Sequence, residues 1–238
     1  MFRPYVHDGD VTTTPDPRHP ETVLLVDLDG TVTDSFAGIE NSFRHALAVV
    51  GAPDPDPRIV AGIAGPPMID TLNALGLSPE VAEKAMRAYR ERYTEVGWLE
   101  NSVFDGMGEL LADLAAGGRT VAIATSKNQT TARRILDHFG LADHFRFIAG
   151  ASDDGTRREK ADVIASALDE LGIATDPQTG HVTSPVVMIG DRSHDVQGAA
   201  AFGIPAILVR WGYALGGEEQ GATWAVGSVA ELRDVLGV

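Results

Sequence analysis

Short apolar blocks alternate with stretches of helical periodicity along most of this chain. Val23 to Val26, Thr120 to Ala124, Phe145 to Ala149, Val186 to Ile189 and Ala206 to Val209 are short runs in which only Thr120 and Arg146 are polar. Such runs suit strands covered on both faces. Between them, apolar residues recur at helical spacing: Leu110, Leu111 and Leu114 before Gly117-Gly118, then Ala132, Ile135, Leu136 and Phe139 before Gly140. Val163, Ile164, Ala167, Leu168 and Leu171 continue the series, and a small-residue segment from Val196 to Phe202 closes at Gly203. Alternating strands and helices predict an α/β fold with a parallel sheet and right-handed crossovers.

One region breaks the alternation. Phe36, Ile39, Phe43, Ala46, Leu47 and Val50 trace one helix, Met68 to Leu75 a short second, and Ser78-Pro79-Glu80 opens a third running towards Val96. Ser at the N-cap with Pro at the first helical position is a start signal. No good strand is legible from 36 to 103, so this region reads as a compact helical insert. The predicted organisation is a flexible, proline-rich lead-in over 1–20, a core formed by 21–35 and 103–238, and the insert at 36–102.

The strand ends carry the chemistry. Val26 is followed by Asp27-Leu28-Asp29-Gly30-Thr31, two carboxylates two residues apart that face the same way if the extension continues. Like charges there repel, and a divalent metal with oxygen ligands, Mg2+, would hold them; an ordinary Asp/Gly turn is the alternative. Asp27 suits a nucleophile that accepts a phosphoryl group. Asp29 suits the acid and base for leaving group and water, with its carbonyl towards the metal. Thr125 and Ser126 follow the second strand, where a hydroxyl and helix-start N–H groups suit phosphate, although Ser126 or Asn128 could simply cap the helix. Lys160 opens a helix against its dipole, which suggests a use beyond solvation. Gly190-Asp191 ends a further strand. Asp191 suits a metal ligand, and Asp195 suits holding its waters or Lys160. Lys127 and His194 read as surface residues more than site residues. Ligands on parallel sheets bind beyond the strands' carboxyl ends, so Asp27, Thr125 and Asp191 should converge.

Composition narrows the partners. The chain has 238 residues, 44% hydrophobic, enough for a sizeable core. Its net charge of −15 argues against nucleic acid and anionic lipid. It has no cysteine, which excludes disulfides and thiolate sites. Without a membrane-length apolar run or an apolar leader, the expected location is the cytoplasm. Nothing in the sequence speaks to oligomeric state.

The order paired Asp, Thr-Ser, Lys, Gly-Asp-x-x-x-Asp resembles the haloacid dehalogenase superfamily in its phosphatase branch. Asp27 to Thr33 resembles the first motif, Thr125 the second, Lys160 the third, and Gly190-Asp191 with Asp195 the fourth. The resemblance implies a Rossmann-like core with an inserted helical cap. It implies Mg2+ held by Asp27, the Asp29 carbonyl and Asp191, phosphate contacts from Gly30, Thr125, Ser126 and Lys160, and a small phosphate ester as substrate. Gly65-Pro66-Pro67-Met68, Tyr89 to Tyr93 and Trp211-Gly212-Tyr213 are similar to the phosphoglycolate phosphatase/5′-nucleotidase-like subgroup. The same stretches are similar to a bacterial tyrosine kinase of this fold. That makes a protein phosphotransferase the alternative, with Tyr5 as a phosphate acceptor.

Overall fold

The computed structural model describes residues 14–238; Tyr5 lies outside them. The elements run β1 (Val23–Val26), β2 (Thr33–Asp34), α1 (Phe36–Val49), α2 (Pro57–Val60), α3 (Met68–Ala74), α4 (Pro79–Glu95) and β3 (Ser102–Val103). Then come α5 (Met107–Ala116), β4 (Val121–Asn128), α6 (Gln129–His138), β5 (Phe147–Ala151), α7 (Lys160–Glu170) and β6 (Val186–Gly190). The chain ends with α8 (Ser193–Ala200), β7 (Ala206–Val209), β8 (Trp224–Val226) and α9 (Val229–Leu236).

Six parallel strands form one sheet in the order β5-β4-β1-β6-β7-β8. Period two divides β1 between two cores: Leu24 and Val26 pack with α5, α6 and α9 on one face, Leu25 with α7 and α8 on the other. Burial on both faces is the reason the run holds no polar residue. From β1 the chain crosses to β4, and from β6 it crosses the opposite way to β7. The crevice between the carboxyl ends of β1 and β6 is therefore the switch point where such sheets take ligands.

The helices α1, α3 and α4 share a third apolar cluster, centred on Phe43 and Leu72, which Ile135 of α6 joins. Ser78 caps α4 as its sequence predicts, its Oγ accepting from Val81 N. Three core arginines reach this helical unit. Arg158 meets Asp70 at 2.6 Å, Arg134 donates to the Thr94 carbonyl at 2.9 Å, and Arg192 donates to the Ala64 carbonyl.

Four local differences from the pattern have physical causes. β4 does not stop at Ala124; it continues to Asn128 through a register shift against β5. β5 begins two residues later than its apolar run, because Phe145 and Arg146 lead out of a 3-10 turn. β2 and β3 pair antiparallel over two residues each, too short for any period to register. β8 and α9 are not marked in the pattern: Trp224 to Val226 is brief and half exposed, and α9 buries only Leu232 and Leu236.

Residues 16 to 22 form a turn tied to the core by Arg119. Its Nη2 donates to the Pro17 carbonyl at 2.8 Å and the Thr22 carbonyl at 3.3 Å, and Nη1 to the Leu236 carbonyl at 3.4 Å. Arg119→Ala should therefore leave buried carbonyls unmatched. We expect a stability loss of about 1–3 kcal/mol, read as a lower urea midpoint with an unchanged slope. No described helix is long and apolar enough to cross a membrane.

Candidate active site

Asp27 leaves the sheet while its backbone is still laddered: its N–H donates to the Ile189 carbonyl of β6 at 2.9 Å. That bond holds it beside the β6 end, where Asp191 follows Gly190. The chain then turns, with the Val32 and Thr33 N–H groups donating to the Leu28 carbonyl and Gly30 N–H to the Thr33 carbonyl. Gly30 adopts φ +84°, and a methyl group on it would stand 2.2 Å from Asp191 Oδ2. Gly30 does not line the cleft, and its N–H is already bonded within the turn. The structure thus places it as the seat for Asp191.

Carboxylate oxygens of Asp27, Asp191 and Asp195 lie within 4.8 Å of one another, and all three residues are buried. Lys160, the first residue of α7, is buried too. Its Nζ lies 2.7 Å from Asp27 Oδ1, 2.5 Å from Asp195 Oδ1 and 2.8 Å from the Ala124 carbonyl. Asp195 thus contacts Lys160, one of the two partners expected of it. Asp162 in the first turn of α7 offsets the lysine's unfavourable place on the dipole, its Oδ2 accepting from the Glu159 N–H. Two other glycines permit the packing. A methyl on Gly190 would come 2.2 Å from Asp195 Cγ, and one on Gly198 would come 2.7 Å from Lys160 Cγ.

Three carboxylates and one ammonium leave this cluster short of positive charge. Burial first, then Asp195, pushes the Asp27 carboxyl up to about 6, although Lys160 opposes it. Burial, followed by Asp195 and Asp27, drives Asp191 well above the usual carboxylate range. Burial works against the Lys160 charge, but Asp195 and Asp27 outweigh it and hold the ammonium above its ordinary value. Asp191 Oδ2 accepts from Tyr213 N–H at 2.6 Å, whereas its Oδ1 is buried without a partner. An unpartnered buried oxygen among crowded carboxylates fits a divalent cation with oxygen ligands.

Asp29 points into the same cleft and is gripped on both oxygens. Ser35 Oγ donates to Oδ1 at 2.7 Å, and Lys127 Nζ stands 2.5 Å from Oδ2. Lys127 is therefore not a surface lysine. It is buried below the ring of Tyr93, its Nζ 4.7 Å from the centroid, and Asp29 overcomes the burial penalty to raise its pKa well above normal. The available signal was its place two residues beyond Thr125, on a continuing strand. Thr125 is buried and its Oγ1 accepts from Lys127 N–H; Ser126 also lines the cleft. Asn128 is the residue that caps α6, accepting from Thr131 N–H at 3.1 Å. His194 is exposed and also lines the cleft. Of the arginines on the helical unit, Arg44 and Arg92 are paired with acids there, and Arg90 reaches the cleft. Tyr213, Arg192 and Glu218 gave no sequence signal as site residues. Glu218 takes Arg192 through Nε and Nη2 at 2.7 and 3.0 Å, fixing the residue between Asp191 and the α8 turn.

A parallel α/β sheet with these acids, threonine and lysine at its strand ends defines a class. The chain belongs to the haloacid dehalogenase-like hydrolase family, whose profile matches residues 24–209. Within that family it is an enzyme of the phosphatase kind. It is 49% identical to the tyrosine-protein kinase PtkA of Mycobacterium tuberculosis over 226 residues, 93% of this chain and 75% of that one. A 5′-nucleotidase of Pseudomonas aeruginosa is 39% identical over 224 residues, 92% of this chain and 96% of that one. The crystal structure of a predicted phosphatase from Clostridium acetobutylicum superposes with a TM-score of 0.82 at 35% identity, covering 92% of this chain and all of that one.

Proposed function

We propose that this protein is a Mg2+-dependent phosphatase that hydrolyses a small phosphorylated metabolite, phosphoglycolate- or nucleotide-like, through an aspartyl-phosphate. The observation that carries this reading is the buried Asp27 with Lys160 at 2.7 Å and Asp191 and Asp195 within 4.8 Å. An Asp27 oxygen attacks phosphorus, and the bond from phosphorus to the alcohol oxygen breaks. Asp29, once the grip of Lys127 and Ser35 loosens and it has taken up a proton from solvent, gives that proton to the alcohol oxygen. Asp29 then takes a proton from water as the water attacks the phosphoryl group, releasing phosphate and restoring Asp27. Lys160 and the Thr125 hydroxyl balance the charge on the phosphoryl oxygens. Asp27, the Asp29 carbonyl and Asp191 would hold Mg2+, which would add charge stabilisation at those oxygens. Residues 36–102 serve as a cap over the cleft, with 21–35 and 103–238 as the core, and exclusion of water is its role.

The test is release of p-nitrophenol from p-nitrophenyl phosphate. Turnover should require Mg2+, vanish with a chelator and return when Mg2+ is added back. No turnover of this or any other phosphate ester across a broad panel refutes the reading. The identity with PtkA supports a second reading, a protein phosphotransferase. Labelled ATP separates the two: base-stable label on tyrosine favours transfer to protein, and base-labile label on Asp27 favours the phosphatase.

A further inference from the structure

The cleft has a volume of about 480 Å³, in the range that encloses a whole drug-sized ligand. Its floor is charged, whereas the wall supplied by α3 and α4 is largely apolar, with Arg90 its one charged side chain. Met68, Ile69, Met86 and Tyr89 line that wall. Tyr89 is half-buried and stacks on the buried Tyr93, with ring centroids 5.7 Å apart and planes 17° from parallel. The stack braces the Tyr89 ring at the cleft, and Met86, one helical turn away, adds a polarisable thioether.

A substrate with a second anionic group would need a free cation, and all but one of the cations here are engaged. Lys127 holds Asp29, Lys160 holds Asp27 and Asp195, Arg158 holds Asp70, and Arg192 holds Glu218. Arg157 donates to the Gly150 carbonyl, Gln129 and Ser166. Among the described residues lining the cleft, Arg90 is the one cation with no ion-pair or hydrogen-bond partner, and it is exposed. A short carboxylated ester could pair only with the exposed Arg90, where an ion pair is worth little, and would leave the apolar wall unused.

We infer that the substrate is a phosphate monoester whose alcohol carries an aromatic ring, seated against Tyr89 and Met86. This rests on the phosphatase reading above and decides between its two substrate kinds. Stacking on a braced ring and contact with a thioether both favour an aromatic group, whose area fills a cleft of this size.

The experiment compares kcat/KM, with Mg2+ present, for benzyl phosphate, adenosine 5′-monophosphate, uridine 5′-monophosphate and phosphoglycolate. All four release an oxygen bonded to a CH2 group, so differences report the remainder of the alcohol. At least one aromatic ester should exceed phosphoglycolate by about tenfold or more, a difference of about 1.4 kcal/mol. Preference for benzyl phosphate puts the ring beside the reacting oxygen; preference for a nucleotide puts it a sugar's length away. Tyr89→Leu should lower the ratio of aromatic ester to phosphoglycolate about five- to tenfold, and Tyr89→Phe should keep it. Met86→Ala, on the same wall, is read in the same way if Tyr89→Leu does not fold. Phosphoglycolate turned over as well as every aromatic ester, or a Tyr89→Leu loss equal on all four, overturns the inference and leaves the phosphatase reading standing. Failure to hydrolyse any of the four, or p-nitrophenyl phosphate, defeats that reading and this inference with it.

Discussion

Replacing Asp27 with asparagine should cut hydrolysis of p-nitrophenyl phosphate by at least about 10⁴-fold, while the metal-free protein becomes no less stable above pH 6. The first effect follows from chemistry: a carboxamide is too weak a nucleophile to form the acyl-phosphate. The second follows from electrostatics. The carboxyl group titrates at 3.8 in the absence of the fold and at about 6 within it. Between those values the native state binds more protons than the unfolded chain, so wild-type stability declines as pH rises through them. An amide has no such slope, and Lys160 keeps Asp195 as its partner. Urea midpoints of the metal-free proteins at pH 4 and pH 8 read this out. The gap between variant and wild type should move in the variant's favour at the higher pH. A variant that still turns over substrate would strip Asp27 of its assigned part. One that is destabilised equally at both values would contradict the crowding of charge.

Lys160→Met should be the more damaging change to the folded protein. It removes the cation that touches Asp27 and Asp195 and leaves three buried carboxylates facing one another. Removing one partner from a buried pair costs about 3–5 kcal/mol because the remaining charge is uncompensated. Turnover should fall about 10²–10³-fold, the usual loss when one preorganised charge-stabilising group is deleted. Mg2+ held at these carboxylates would supply the missing positive charge, so it should raise the variant's urea midpoint more than it raises that of the wild type. Equal Mg2+ effects on the two proteins would mean that ion and lysine do not share a site.

These residues were legible to different degrees, for reasons that lie in chain geometry. Asp27 and Asp191 each end a run of buried strand, and the run itself announces where a side chain will sit. The α1, α3 and α4 segments announced themselves through helical spacing, and Phe43 and Leu72 are as buried as that spacing requires. Lys127 was misread because the evidence for its burial comes from Asp29, 98 residues away, and from Tyr93 on another element. Tyr213 was read only as part of a resemblance. Its N–H meets Asp191 and its hydroxyl donates to Asp34, contacts made across more than twenty and more than a hundred positions. Pairings at such separations leave no period behind. Gly30 shows the converse: its place in the acidic turn is clear from the sequence, but only the fold reveals that it makes room for a neighbour.

That last point reaches beyond one residue. Gly30 backs Asp191, Gly190 backs Asp195, and Gly198 backs Lys160. Each hydrogen at these positions occupies space that an ordinary side chain would claim from a charged group. A survey that mutates only residues bearing reactive atoms would pass over all three. Yet a single added carbon at any of them should derange the constellation much as deleting an acid would, which makes emptiness at these positions as heritable a requirement as charge.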